Sequence, residues 1–135
     1  MKRVFAVAGF ATLLAAGVAA VPYSPLRTRA TPPVTVHCPN GGQPGKVTPT
    51  PIRIVVGDTI VWNVTGQVTS DTLVITLKDA EQTWPFSGPM PAGRTSATTG
   101  TARVKGTYGY NVHLQCRLPG GGSEPVVIDP DIIID

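Results

Sequence analysis

The chain has 135 residues, which is enough for one domain and too few for two. Charged residues make up 14% and hydrophobic residues 41%, with 15 Gly and 14 Pro. This composition excludes a disordered chain and favours an all-β domain with many turns. Beyond the first 20 residues the only basic pair is Arg27 and Arg29, so a nucleic-acid partner is not expected.

Residues 1–20 have the three parts of a secretory signal peptide. Lys2 and Arg3 give a positive start, residues 4–18 are apolar and uncharged, and small residues precede the expected cleavage point after Ala20. Cleavage lowers the net charge from +3 to +1, with 9 basic and 8 acidic residues left. The alternative is an uncleaved membrane anchor. We therefore expect an extracytoplasmic protein, either periplasmic or secreted, with membrane contact only if the signal segment stays uncleaved.

The remaining chain is predicted to be a linker followed by a β domain. Residues 21–33 are Pro-rich and lack a periodic apolar pattern, as expected of an extended linker before a domain at 34–135. Within the domain, alternating apolar residues between turn residues predict about seven short strands. These strands are centred on residues 34–38, 52–56, 60–64, 73–77, 97–104, 108–116 and 126–134. The pattern predicts a two-sheet β-sandwich without helices, apart from one short turn at 79–82.

The two cysteines are predicted to form a disulfide. Cys38 has the parity of the apolar positions before it, and Cys116 has the parity of Val112 and Leu114, so both sulfurs are expected to point inward. An oxidising compartment favours a disulfide between them.

Two motifs resemble the cupredoxin family, the plastocyanin and azurin type of copper protein. Residues 55–63, VVGDTIVWN, are similar to the family's Gly-Asp-Thr segment before a Trp strand. Residues 104–110, VKGTYGY, are similar to its later Gly-Thr-Tyr segment, in the family's order and near its spacing. The resemblance covers about residues 34–135 and implies a cupredoxin-like, Greek-key β-sandwich of the kind found in bacterial members that lack the copper ligands.

The copper ligands that the family uses are missing from this sequence. Copper-binding members place a His in the loop after the Trp strand, a Cys about two positions after the Tyr segment, and then a second His and commonly a Met. Here no His follows Trp62 in its loop, Val112 stands two positions after Tyr110, and the only Met beyond the signal, Met90, precedes the Tyr segment. We therefore expect neither a type 1 copper site nor any other cofactor.

The alternative is a copper-binding or electron-transfer protein with a different ligand set. His37 and His113 are the only imidazoles, and each lies close in sequence to a cysteine. A metal needs two or three converging donors, which these four side chains would supply if the thiols were free. Otherwise the two histidines are surface residues beside a disulfide.

One loop is a candidate surface for a partner. Trp84, Phe86 and Met90 lie in a segment that Pro and Gly prevent from being a regular strand, and exposed aromatic residues on a loop often bind a protein or a glycan. Alternatively, Trp84 and Phe86 fold back and cap one end of the sandwich. No catalytic motif is present, so the sequence predicts a binding or structural domain and not an enzyme.

Overall fold

The computed structural model describes residues 31–135, which form an all-β domain. The predicted signal peptide and residues 21–30 of the predicted linker lie outside the described residues. Residues 31–135 contain ten strands and no helix. The strands are β1 (Pro33–His37), β2 (Lys46–Thr48), β3 (Ile52–Ile54), β4 (Val61–Val64), β5 (Ser70–Leu77), β6 (Ala92–Gly93), β7 (Ser96–Thr98), β8 (Gly106–Arg117), β9 (Ser123–Ile128) and β10 (Asp131–Ile134).

The strands form two mixed sheets. Sheet 1 has the order β2-β1-β4-β7, in which β1 and β4 are parallel and the other neighbours are antiparallel. Sheet 2 has the order β3-β10-β8-β5-β6, in which only β3 and β10 are parallel. The 12-residue strand β8 organises sheet 2, because β5 pairs with one of its edges while β10 and then β9 pair with the other.

Buried side chains from both sheets meet in one hydrophobic core, which gives a sandwich-like fold. The alternation along β8 is strict, with Tyr110, Val112 and Leu114 buried and the residues between them facing outward. Trp62 of sheet 1 is fully buried at the centre of this core. Large aromatic rings bury more apolar area than other side chains and so contribute strongly to the stability of a small domain.

The predicted disulfide is present. Cys38 follows β1 in sheet 1 and Cys116 lies near the end of β8 in sheet 2, with their Cα atoms 5.8 Å apart. Both residues are buried, as their parity predicts, and the bond links the two sheets.

Most predicted strands are confirmed, with five differences, one of which is that residues 126–134 belong to two strands, β9 and β10, separated at Asp129-Pro130. Residues 39–51 contain the short strand β2, which lies at the edge of sheet 1 where neighbouring prolines do no harm. β3 ends at Ile54, because Gly57 has a φ of 101° and turns the chain. The region 97–104 gives only β7 and an isolated bridge at Ala102, and β6 was not predicted.

The outer edge of β9 lacks a backbone N–H donor at Pro125, near the middle of the strand. Within residues 31–135, β9 pairs only with β8. The Gln115 N–H of β8 points toward β5, where it donates to Ser70 Oγ. Pro125 is paired with Gln115 across β8 and β9, so this is a pair without hydrogen bonds between the two strands. Pro125 and Val127 therefore direct their backbone groups away from the sheet, and Pro125 has no N–H to offer.

Candidate functional site

Three loops meet at one end of the sandwich and form a shallow groove. They follow β1, β4 and β8, and the groove has a volume of about 420 Å³. A neighbouring depression of about 280 Å³ shares most of its wall. We call the combined surface the three-loop groove; it is lined by segments 39–44, 67–69 and 117–119 together with Glu124.

The first loop is built on a two-residue turn. Asn40 and Gln43 exchange two backbone hydrogen bonds, each with an N···O distance of 3.0 Å. Gly41 and Gly42 between them have φ values of 57° and 79°, the left-handed backbone that this hairpin turn requires. The turn fixes the backbone from which the Asn40 and Gln43 side chains extend to the groove wall.

Contacts between the loops hold the groove together. The Asn40 Nδ2 donates to Gln67 Oε1 at 3.4 Å, and the Arg117 N–H donates to the Thr69 carbonyl at 3.0 Å. The disulfide adds a covalent link here, because the cysteines directly precede Pro39 and Arg117. The wall of the groove is therefore preformed on ordered backbone.

The wall shared by the two depressions includes both apolar and polar residues. Val68 is half-buried, Leu118 is 40% exposed and Pro119 is exposed. Arg117 donates to both carboxylate oxygens of Asp71, at 2.9 and 3.1 Å. No aromatic ring is among the residues that line it.

The loop after Trp62, where the cupredoxin resemblance implies a His ligand, lies at this same end. The loop after the Trp strand contributes Gln67, Val68 and Thr69 to the groove, and the chain after the Tyr segment contributes Leu118 and Pro119. Val112, which stands at the expected Cys position, is fully buried in the core. Amides, a hydroxyl and apolar side chains are not the donor set of a blue-copper site, so the residues present do not fit that metal.

The two histidines do not converge. His37 lies on the outer face of sheet 1, with Nε2 3.5 Å from Thr65 Oγ1. His113 lies on the outer face of sheet 2, with Nε2 2.9 Å from Thr76 Oγ1. Both cysteine sulfurs are bonded to each other. Across residues 31–135, no group of three or more His, Cys, Asp or Glu side chains is placed to hold a metal ion.

The candidate partner loop is folded back for most of its length. Phe86 is only 5% exposed and Trp84 is half-buried, with their ring centroids 4.9 Å apart. Backbone bonds from Ser87 to Thr101 and from Arg103 to Pro85 hold the segment against the core. Met90 is 40% exposed, so of the three residues named from sequence it alone is largely available to a partner.

The loop and the groove lie at opposite ends of the domain. β5 begins beside Cys116 at the groove and ends beside Tyr110, about 23 Å away for its eight residues. The Trp84 segment follows that far end of β5. A partner of modest size would contact only one of the two surfaces.

Among residues 31–135, three buried side-chain polar atoms have no hydrogen-bond partner, and one of them is the indole nitrogen of Trp84. The other two are the Tyr110 hydroxyl and the Trp62 indole N–H, although their rings contact each other. Burial raises the pKa of the Tyr110 hydroxyl far above its ordinary value, and the nearby Asp131 carboxylate raises it further. The phenol therefore stays neutral, and it takes no part in the groove.

Comparison with known proteins found no matching family model and no matching curated protein. In the part of the chain that the structure describes, no helix has the length and apolar character needed to cross a membrane.

The sequence did contain a sign of the groove, since Asn40-Gly41-Gly42 is typical of a tight hairpin turn. That three particular loops share one end depends on strand pairing between distant segments, which the sequence pattern does not give.

Proposed function

We propose that this protein is an exported cupredoxin-like module without a type 1 copper site, which acts as a non-enzymatic binding domain through the three-loop groove. The observation that carries the proposal is that the loop after Trp62, where the cupredoxin resemblance implies a His ligand, lines this groove and contributes no metal donor to it, while Val112 at the expected Cys position is buried in the core. A binding surface takes the place of the metal site at the same end of the sandwich.

The strand connections support a Greek-key, cupredoxin-like arrangement. β1 and β4 are parallel neighbours in sheet 1, yet β3, which lies between them in sequence, belongs to sheet 2. Likewise β5 and β8 are neighbours in sheet 2, while β7 lies in sheet 1. Connections that pass from one sheet to the other and back are typical of Greek-key sandwiches.

The two family-like motifs also occupy structural positions that suit their residues. Gly57 makes the turn before β4, and the Asp58 carboxylate accepts a hydrogen bond from the Val55 N–H at 3.0 Å. Trp62 from the first motif packs against Tyr110 from the second, across the two sheets. The motifs therefore act as turn and core residues, which does not depend on copper.

The groove suits an extended peptide segment of a partner protein. The groove wall offers apolar contact from Val68, Leu118 and Pro119, and hydrogen bonds from the side-chain amides of Asn40 and Gln43. Because no aromatic ring lines the groove, a sugar ring would find no flat apolar surface to stack on. We therefore favour a protein partner over a glycan.

The disulfide is consistent with an extracytoplasmic location, since such bonds persist in oxidising compartments. Together with the signal-like residues 1–20, it supports a periplasmic or secreted protein.

Copper addition tests the first half of the proposal. Titration of the purified, exported protein with Cu(II) is expected to give no strong visible charge-transfer band, and a thiol assay in denaturant without reductant is expected to find no free thiol. A blue or green species at one equivalent would overturn the proposal and favour the His37 and His113 alternative.

Peptide selection tests the second half. Random peptides displayed on phage are expected to enrich on the wild-type protein and to lose binding to Leu118→Asp. Val104→Asp is the matched control, because Val104 is 54% exposed and lies outside the groove. Enriched peptides that bind Leu118→Asp as well as the wild type, or no enrichment at all, would contradict the groove as the binding surface.

A further inference from the structure

The outer face of sheet 2 carries a strip of two exposed valines with a histidine between them. Val74 of β5, His113 of β8 and Val127 of β9 are registered side by side across three adjacent strands. Val74 is 37% exposed and Val127 is 57% exposed. Ala92 of β6 continues the row beyond Val74.

This strip holds a large share of the exposed apolar surface. Six large hydrophobic side chains are exposed among residues 31–135, and Val74 and Val127 are two of them. Met90 is a third, and it stands two residues before Ala92 at the edge of the same sheet. Apolar residues gathered on one face, and not scattered singly, mark an interaction surface.

Two ion pairs bound the strip at its two ends. Near the groove, Arg117 pairs with Asp71; at the opposite end, Lys78 pairs with Asp129. All four side chains are half or more exposed. We call Asp71, Lys78, Arg117 and Asp129 the charge quartet.

The signs of the charge quartet alternate around the face. On the β5 side, Asp71 is at the groove end and Lys78 at the far end. On the other side, Arg117 ends β8 at the groove and Asp129 follows β9 at the far end. Each end of the face therefore carries one ion pair, and the order of the two signs is reversed between the ends.

This alternation makes the face complementary to itself. A two-fold axis that runs along the strands between two such faces places Asp71 opposite Arg117 and Lys78 opposite Asp129. An axis that runs across the strands places Asp71 opposite Lys78 and Arg117 opposite Asp129. In both arrangements every charge of the quartet meets an opposite charge, while the strips meet at the centre, as an isologous interface requires.

We infer that the occupant of this face is a second copy of the chain, bound face to face about a two-fold axis. On this face β5 has eight residues, β9 six and β6 two, and β8 lies between them with residues 110–117. At about 4.8 by 3.3 Å per residue, each face covers roughly 400 Å². Two such faces bury about 800 Å², below the size of a standard specific interface, so the dimer is weak. This inference does not depend on the three-loop groove.

Sedimentation velocity of the purified, exported protein over a wide concentration range tests the dimer. The sedimentation coefficient is expected to rise with concentration, and Val127→Asp is expected to weaken association by about tenfold or more. Val104→Asp, which adds the same charge at an equally exposed position off this face, is expected to leave association unchanged. A wild-type protein that stays monomeric at its highest soluble concentration would overturn the inference.

Reversing the charge of one residue tests the role of the charge quartet. Asp71→Lys places like charges opposite each other about either axis, so the dimer is expected to weaken about fivefold or more at low salt and less at high salt. Glu81→Lys, an exposed reversal in the turn after β5, is the control. If both Val127→Asp and Asp71→Lys associate as tightly as the wild type, this face is not the interface.

Two-dimensional NMR on dilution locates the contact without any substitution. Amide shifts that change with concentration are expected to cluster on Val74, His113 and Val127. Changes confined to the groove or to the β9 edge would contradict the face-to-face arrangement.

Discussion

Trp62 and Tyr110 join the two sheets at the centre of the core, with ring centroids 4.8 Å apart and ring planes at 72°. Such edge-on pairs add about 0.5–1.5 kcal/mol beyond the area that they bury. The contact also buries the Tyr110 hydroxyl and the Trp62 N–H without partners, so the domain carries a desolvation cost at its centre.

Removal of the Tyr110 hydroxyl is expected to leave the domain as stable or to stabilise it. Tyr110→Phe deletes a buried group that has no partner, which relieves a penalty of about 1–3 kcal/mol. Tyr108→Phe is the matched comparison, because the Tyr108 hydroxyl lies 3.2 Å from the carbonyls of Val104 and Lys105, and its loss is expected to cost about 1 kcal/mol. Denaturant unfolding of both variants gives the change in the free energy of unfolding for each. A Tyr110→Phe protein less stable than Tyr108→Phe would contradict this account.

Alkaline pH is expected to destabilise the domain through Tyr110. Its folded pKa is raised by burial, so the unfolded chain loses this proton near pH 10 while the folded chain keeps it. Below pH 10 the phenol is protonated in both states and adds no pH dependence; above it the free energy of unfolding falls by about 1.4 kcal/mol for each pH unit. Comparing the free energy of unfolding of wild type and Tyr110→Phe between pH 9 and 11 isolates this slope, and parallel curves would count against it.

Loss of the disulfide is expected to lower stability strongly. The bond closes a loop between positions 78 apart, for which chain entropy gives about 4–5 kcal/mol. The double variant Cys38→Ala/Cys116→Ala is therefore expected to unfold at much lower denaturant concentration than the oxidised wild type. A loss below about 1 kcal/mol would mean that the link constrains the unfolded chain far less than its length implies.

Gly100 is expected to tolerate no side chain. An added Cβ would lie 1.9 Å from the Ser87 carbonyl oxygen, at the point where the Trp84 segment pairs with residues 101–103. Gly100→Ala is expected to cost about 1–3 kcal/mol or more, as overpacking does. Gly120→Ala, where no atom lies within 4 Å, is expected to be neutral. Thermal melts of the pair check the contrast, and equal melting temperatures would refute it.

The sequence was most informative where a pattern is local. Period-two alternation placed Cys38, Cys116 and Val112 on the buried face, because a strand exposes alternate residues to opposite sides whatever its partner is. The same rule placed His37 and His113 outward. It also predicted Val56 as part of a strand, but the turn at Gly57 ends the strand first and leaves Val56 43% exposed.

Features that need distant segments to meet were not predicted. β2 and β6 are two or three residues long and exist because β1 and β5 offer them an edge. The burial of Phe86 was one of the two alternatives that the sequence left open, but the pairing with the chain near Ala102 that produces it was not predicted. The groove and the charge quartet depend in the same way on strand order, which alternation leaves undetermined.

The missing donor of Pro125 in β9 also affects how this protein behaves when it is concentrated. A strand from another molecule that approached this edge would find the Pro125 carbonyl but no N–H beside it, so a continuous ladder could not grow there. Growth of a continuous ladder through the β9 edge is thereby disfavoured, so strand addition between copies would have to use one of the other sheet edges.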